Sequence, residues 1–246
     1  MPKAFFIDTS RCTACRGCQI ACKEWNELPP NATQQRGSHQ NPPDLNANNY
    51  KLVRFSEHLE GTTIRWNFFP DQCRHCLEAP CEHEAAKLVD DAVIRDPDTG
   101  AVIYTDKTKE ITADGFEDIR AVCPYDIPRR DPATGRIVKC TMCNERVAAG
   151  MLPACVKACP TGTMKFGERQ KMLDLAQQRL AAVRKEYPKA LLADADEVAV
   201  IYLLADAPKN YHKHSVAQRN QDMDRKMFLA RLGRPLRRTV ETILNV

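Results

Sequence analysis

Twelve cysteines are the residues best suited to carry chemistry in this 246-residue sequence, and they fall into tight groups. The first is Cys12-x2-Cys15-x2-Cys18-x3-Cys22 and the second Cys73-x2-Cys76-x4-Cys81. The last is Cys140-x2-Cys143-x11-Cys155-x3-Cys159, while Cys123 stands alone before Pro124. Neighbours three residues apart suit several thiolates converging on one metal centre better than each finding a distant partner. Disulfides in a secreted protein are the competing use, but a chain of this length does not need them to compensate for a small core. Zinc held by paired Cys-x2-Cys units is the second competitor. Three thiolates at i, i+3 and i+6 with a remote fourth before proline are unusual for zinc. They match the spacing in which three thiolates hold one four-iron, four-sulfur cube and the fourth reaches a second cube.

That crossed rule assigns every cysteine. Cys12, Cys15 and Cys18 need a returning ligand, supplied by Cys159, and Cys22 completes the set of Cys140, Cys143 and Cys155. In the second group the same spacing puts a fourth ligand at position 85, where Ala85 stands. Counting back from Cys123, the three ligand positions hold Ala113, Phe116 and Ile119. Those four vacated positions would together have bound one cluster, and Cys73, Cys76, Cys81 and Cys123 would bind its neighbour. Twelve cysteines therefore make three complete [4Fe-4S] sets with none left over. Four thiolates saturate a cube and leave no iron open to substrate, so the expected chemistry is one-electron transfer, tuned by backbone N–H donors and burial.

Other residues near the groups have two readings each. His75 and His83 flank the second group and are read either as donors to its sulfurs or as residues without redox consequence. Lys139 precedes Cys140 and is read as a charge that raises a cluster potential, or as an ordinary solvated lysine. Trp25 and Trp66 read as packing residues rather than electron relays.

The elements that must position these groups are legible in outline. Ala4 to Asp8 reads as a strand entering the first group and Gln19 to Asn26 as a helical turn leaving it. Residues 27–49, rich in Pro, Asn and Gln, read as a surface insertion. Tyr50 to Glu57 and Thr62 to Phe69 read as a hairpin around Glu60-Gly61. Two stretches echo each other, Arg95-Asp-Pro-Asp-Thr-Gly100 and Arg130-Asp-Pro-Ala-Thr-Gly135, each a turn signal before a β-rich segment, which is either internal duplication or a shared common turn. Gly167 to Tyr187 has helical spacing, with Met172, Leu173, Ala176, Leu180 and Val183 on one face. Val198 to Leu204 reads as a buried strand.

Formal net charge is +4, and residues 216–246 alone carry seven Lys or Arg against three Asp or Glu, so the remaining chain balances. A neutral body argues against nucleic-acid binding, which needs a concentrated positive face. The longest apolar run, Val198 to Ala205, is far short of the roughly twenty residues that span a bilayer. No transmembrane anchor and no export leader are expected. The basic tail is expected to dock on a partner, an acidic surface or anionic lipid, or to remain a solvated, fraying helix.

The stretch from Phe6 through Cys12, Cys15, Cys18 and Cys22 to Trp25, and Asp71-Gln-Cys73-Arg-His-Cys76-Leu-Glu-Ala-Pro-Cys81, resemble the iron–sulfur subunits of formate dehydrogenases. The resemblance covers nearly all of residues 4–165. Most members of the wider family, which also serves nitrate, polysulfide and sulfoxide reductases, carry four clusters. The set lacking here is similar to the small (beta) subunits of two-subunit tungsten or molybdenum formate dehydrogenases. The resemblance implies an α+β fold, with a bacterial-ferredoxin-like core of two pseudo-related halves, hairpin insertions and a helical C-terminal extension. Residues 1–165 would form the cluster-bearing domain, with an insertion at about 27–71; 166–215 a helix and strand packed on it; and 216–246 the basic tail. It further implies a large catalytic partner carrying tungsten or molybdenum on two pterin guanine dinucleotides, and a cytochrome c or similar acceptor. The complex would be periplasmic, exported folded on the large subunit's signal, or alternatively cytoplasmic. An iron–sulfur subunit of another molybdenum or tungsten oxidoreductase is the alternative within the family. A zinc-stabilised interaction module is the alternative outside it.

Overall fold

The computed structural model describes residues 2–217. In chain order the regular elements are β1 (Lys3–Asp8), α1 (Gly17–Trp25), β2 (Leu52–Glu60), β3 (Thr63–Asp71), α2 (Pro80–Ala86), β4 (Val93–Arg95), β5 (Val102–Tyr104) and α3 (Ala113–Ala121). There follow β6 (Arg129–Arg130), β7 (Ile137–Val138), α4 (Asn144–Ala148), α5 (Ala154–Lys157), β8 (Met164–Glu168), α6 (Arg169–Val183), β9 (Leu191–Ala193) and β10 (Val200–Leu204). The fold is mixed, helices on sheet. No helix among the described residues is long and apolar enough to cross a membrane. The expected tail at 216–246 lies outside the described residues from 218 onward.

A four-stranded sheet in the order β8-β1-β10-β9 organises the chain. β1 pairs parallel with β10, Phe5 opposite Val200 and Ile7 opposite Tyr202, and antiparallel with β8. Strand periodicity of two gives this sheet two different faces. Phe6, Ile201 and Leu203 point to α6 and meet Met172, Leu173, Ala176, Leu180 and Val183, the stripe expected from the sequence. Phe5, Ile7, Val200, Tyr202 and Leu204 point the other way, into a core that also contains Cys18, Cys155 and Met142. Asp8 ties the layers together: it caps Ser10, and its Oδ2 accepts from Arg179 Nε at 2.9 Å. The apolar run of β10 is central because both its faces are covered.

β2 and β3 pair from Leu52–Asp71 to Glu60–Thr63, turning at Gly61 with φ +62°. Residues 27–49 are held against the body by charge and amide contacts. Asp44 accepts from Arg54 Nη2 at 2.6 Å and Arg129 Nη2 at 2.8 Å, and Gln19 Nε2 donates to Asn41 O at 2.7 Å. Leu45 is buried, so this stretch is packed at least at its C-terminal end.

The two Asp-Pro-x-Thr-Gly stretches form the same turn. In β4–β5 the Asp96 carbonyl accepts from Gly100 N and the Asp96 carboxylate accepts from the Thr99 hydroxyl. In β6–β7 Asp131 and Gly135 repeat the first contact, and Asp131 and Thr134 the second at 2.6 Å. Gly100 and Gly135 sit at φ +77° and +75°, which is why glycine ends both.

α2 and α3 pack on each other, and their contact is apolar. Ala85, Phe116 and Ile119 are buried there with Ala92, Val93, Val102 and Ile111, while Ala113 is exposed on the first turn of α3. Three of the four positions at which a further ligand set would fall are thus core. Ile119→Ala is expected to lower stability by about 2–5 kcal/mol through lost burial and a cavity, seen as an earlier denaturant midpoint with iron content unchanged.

Candidate metal centre

Three Cys-x2-Cys loops share one backbone device. Ala14, His75 and Met142, each just before the second cysteine, take left-handed φ of +54°, +46° and +61°. Non-glycine residues pay for that conformation, and it persists where the surroundings require it. Here it turns successive N–H groups inward. The His75 amide donates to Cys73 Sγ at 3.3 Å and the Met142 amide to Cys140 Sγ at 3.4 Å. The Ala14 amide works against the burial that raises the Cys12 thiol. Such concavities of N–H groups favour anions, and thiolates with an iron–sulfur core are anionic.

The remaining cysteines are set by helical spacing. Cys18 and Cys22 lie one turn apart on α1, and Cys155 on α5 lies one turn from Cys159; α1 and α5 pack together. Four sulfurs apart on two crossing elements therefore separate into two groups. Cys12, Cys15, Cys18 and Cys159 line one cavity of about 280 Å³. Cys22 lies among Cys140, Cys143 and Cys155. Cys73, Cys76, Cys81 and Cys123 line a second cavity of about 350 Å³. The Cys22 group borders both of the others, because Cys18 and Cys155 share one apolar cluster and Cys73 and Cys140 another. None of the twelve is in a disulfide. Among the described residues no three His, Cys, Asp or Glu side chains close around one point as a single ion requires. Sulfurs spaced around cavities of this size fit a cube better than one zinc ion, whose thiolates lie at about 2.3 Å from the metal.

Burial makes these thiols hard to ionise by themselves. It raises Cys18 to about 11, and Cys123, Cys140 and Cys155 to about 12, with neighbouring sulfurs adding to the rise. Cys159 runs the other way: burial pulls it up, but the Met164, Thr163 and Thr161 amides and the Thr161 hydroxyl outweigh that and lower it. A cationic iron core is the group that would offset such a concentration of buried thiolates.

His75 is buried, its Nδ1 accepts from Val102 N at 3.1 Å, and burial pushes its pKa well down, so the ring is neutral. The His75 backbone N–H donates to the Cys73 sulfur, and the ring Nε2 is buried. His83 is 66% exposed and lies 3.9 Å from Glu78, on the surface. Lys139 is buried, not solvated: Nζ donates to Cys140 O at 3.1 Å and to Val102 O, above the Tyr104 ring. Trp25 carries Arg146 over its face at 4.3 Å, and Trp66 packs edge-on against Phe68, both partly exposed. Lys51, buried beside both the Cys18 and the Cys155 groups, has no sequence signal, since it sits in an unremarkable Tyr50-Lys51-Leu52 run.

Residues 64–169 match the 4Fe-4S dicluster domain family. The chain is 57% identical over 216 residues to formate dehydrogenase 2 subunit beta (cytochrome c-553) of Nitratidesulfovibrio vulgaris, covering 87% of this chain and 99% of that one. It is 48% identical over 217 residues to formate dehydrogenase subunit beta of Megalodesulfovibrio gigas, covering 88% and 100%. With the iron–sulfur subunit of the nitrate-inducible formate dehydrogenase of Escherichia coli it shares 36% over 219 residues, covering 85% and 71%.

Proposed function

Because the chain belongs to the iron–sulfur (beta) subunits of formate dehydrogenases, we propose that it relays electrons through three [4Fe-4S] clusters between a large catalytic subunit and an external acceptor. The observation that carries this reading is the division of twelve cysteines into three groups of four, one of which borders both of the others. Cys12, Cys15, Cys18 and Cys159 would hold cluster 1; Cys22, Cys140, Cys143 and Cys155 cluster 2; and Cys73, Cys76, Cys81 and Cys123 cluster 3. When bound, the clusters accept and release single electrons. The chain's own residues fix their spacing, surround them with N–H donors and exclude water.

The partner would carry tungsten or molybdenum on its two pterin guanine dinucleotides and would oxidise formate or reduce carbon dioxide. A c-type cytochrome as acceptor is favoured by the relative whose name includes cytochrome c-553. With such an acceptor the complex would work in the periplasm, exported with its large subunit. The core further reads as a duplication. α1 carries Cys18 and Cys22, and α5 carries Cys155 with Cys159 just past its end; α2 offers Cys81 and Ala85, and α3 Ile119 with Cys123 just past its end, at the same x3 spacing, and each half has one Asp-Pro-x-Thr-Gly turn.

Iron and acid-labile sulfide on the anaerobically purified complex test the count. About twelve of each per chain, after the large subunit's share is subtracted, are expected. About eight would remove one set, and zinc without sulfide would overturn the redox reading.

A further inference from the structure

Resting on that three-cluster reading, we infer that two buried lysines, Lys51 and Lys139, are positioning charges that set the potentials of the clusters on either side of each junction between bordering groups. Lys51 is 1% exposed and Lys139 5% exposed. Lys51 Nζ donates to the Gln72 side-chain oxygen and to Pro70 O at 3.4 Å, and Lys139 Nζ donates to two backbone carbonyls. Among the described residues neither ammonium has a carboxylate at ion-pair distance: Asp71, which stands between Pro70 and Gln72, is taken by Arg54 and Arg74.

A buried charge with only neutral acceptors is costly, so it needs a counter-charge close by. The groups that face these lysines, and that would be anionic as thiolates with a cluster bound, are sulfurs. Lys51 acts on Cys12 and Cys18 of the first group and on Cys22, Cys143 and Cys155 of the second. Lys139 lines the cavity of Cys73, Cys76, Cys81 and Cys123 and donates to the Cys140 carbonyl, and its charge bears on Cys81 of the third group and Cys140 of the second. Each junction between neighbouring groups thus holds one ammonium, and the middle group is flanked by both. A cube bound by four thiolates gains negative charge on reduction, so a fixed positive charge in a low-dielectric interior favours the reduced form. With clusters bound on both sides, an ammonium between two of them would act on both members of a donor–acceptor pair.

The test is an anaerobic redox titration of the purified complex, poised with dithionite and mediator dyes and read by electron paramagnetic resonance. Lys51→Met is expected to lower the midpoint potentials of clusters 1 and 2 and leave cluster 3 in place. Lys139→Met is expected to lower those of clusters 2 and 3 and leave cluster 1 in place. One cluster, the middle one, responds to both variants, and Lys51→Arg keeps the original potentials. Unmoved potentials, or equal shifts of all three clusters, overturn the inference. Should the methionine variants shed iron, Gln72→Glu sets a carboxylate against Lys51 without removing it, and must lower the same two potentials; no shift there also overturns it. About eight iron per unaltered chain sinks the three-cluster reading itself, whereas full iron with unmoved potentials sinks only the role of the lysines.

Discussion

Cys123→Ala is expected to cost the protein roughly a third of its iron and sulfide while the other two clusters persist with their spectra intact. Cys123 follows α3 directly and lines the cavity it shares with Cys73, Cys76 and Cys81, and with no cysteine of the other groups. A cube left with three protein thiolates has an open iron, which is the labile form. The damage should stay local because Cys123 lies at the cavity of its own group, while it is Cys73 whose charge bears on Cys140 of the neighbouring one. Cys140 is held from its own side by the Met142 amide. Iron analysis with Mössbauer or paramagnetic resonance spectra of the purified complex checks the outcome. Equal loss from all three clusters would refute the pairing, and unchanged iron would remove Cys123 from the ligands.

Asp71→Asn should be the most destabilising single charge change near the clusters. Asp71 is fully buried; its Oδ2 accepts from Arg54 Nε at 2.7 Å and its Oδ1 from Arg74 Nη1 at 2.9 Å. Arg74 is itself enclosed, its guanidinium 4.6 to 5.1 Å from the ring centres of Tyr202, Tyr125 and Phe69. Removing the carboxylate charge leaves buried Arg74 without its ion-pair partner, at a cost of about 3–5 kcal/mol. Arg54 keeps Asp44 and softens the loss.

The pH dependence has a defined sign. Burial pushes the Asp71 carboxyl up, but Arg74 and Arg54 outweigh it and hold the pKa below the ordinary carboxylate range. The folded value lies below the unfolded one, so the contribution is complete above about pH 4 and disappears as pH falls through the folded value. Denaturant midpoints measured against pH should show an acid limb that Asp71→Asn flattens. A loss under about 1 kcal/mol would mean that water or another anion already reaches Arg74.

Asp71 and Arg74 also separate two kinds of legibility, since both belong to the Asp71-Gln-Cys73-Arg-His-Cys76 stretch by which the family is recognised. Their neighbours Cys73 and Cys76 are readable as ligands from spacing alone, yet nothing in that stretch distinguishes the buried Asp71–Arg74 pair from solvated charges. The same division runs through the molecule. The sequence by itself determined the Cys-x2-Cys loops, the one-turn spacing on α1 and α5, the β2–β3 hairpin, the paired Asp-Pro-x-Thr-Gly turns and the apolar stripe of α6. These are outcomes of backbone geometry and periodicity over a few residues. Only the tertiary structure decided that β1 lies beside β10, nearly two hundred residues away, and so which face of that sheet backs the cysteines. It also decided that Ala85, Phe116 and Ile119 close into a core where ligands are lacking. Above all it decided that Lys51 and Lys139 are buried between sulfur groups. Burial of a charge depends on what distant segments bring against it, and an isolated lysine between apolar neighbours has the same local pattern whether it meets water or thiolates.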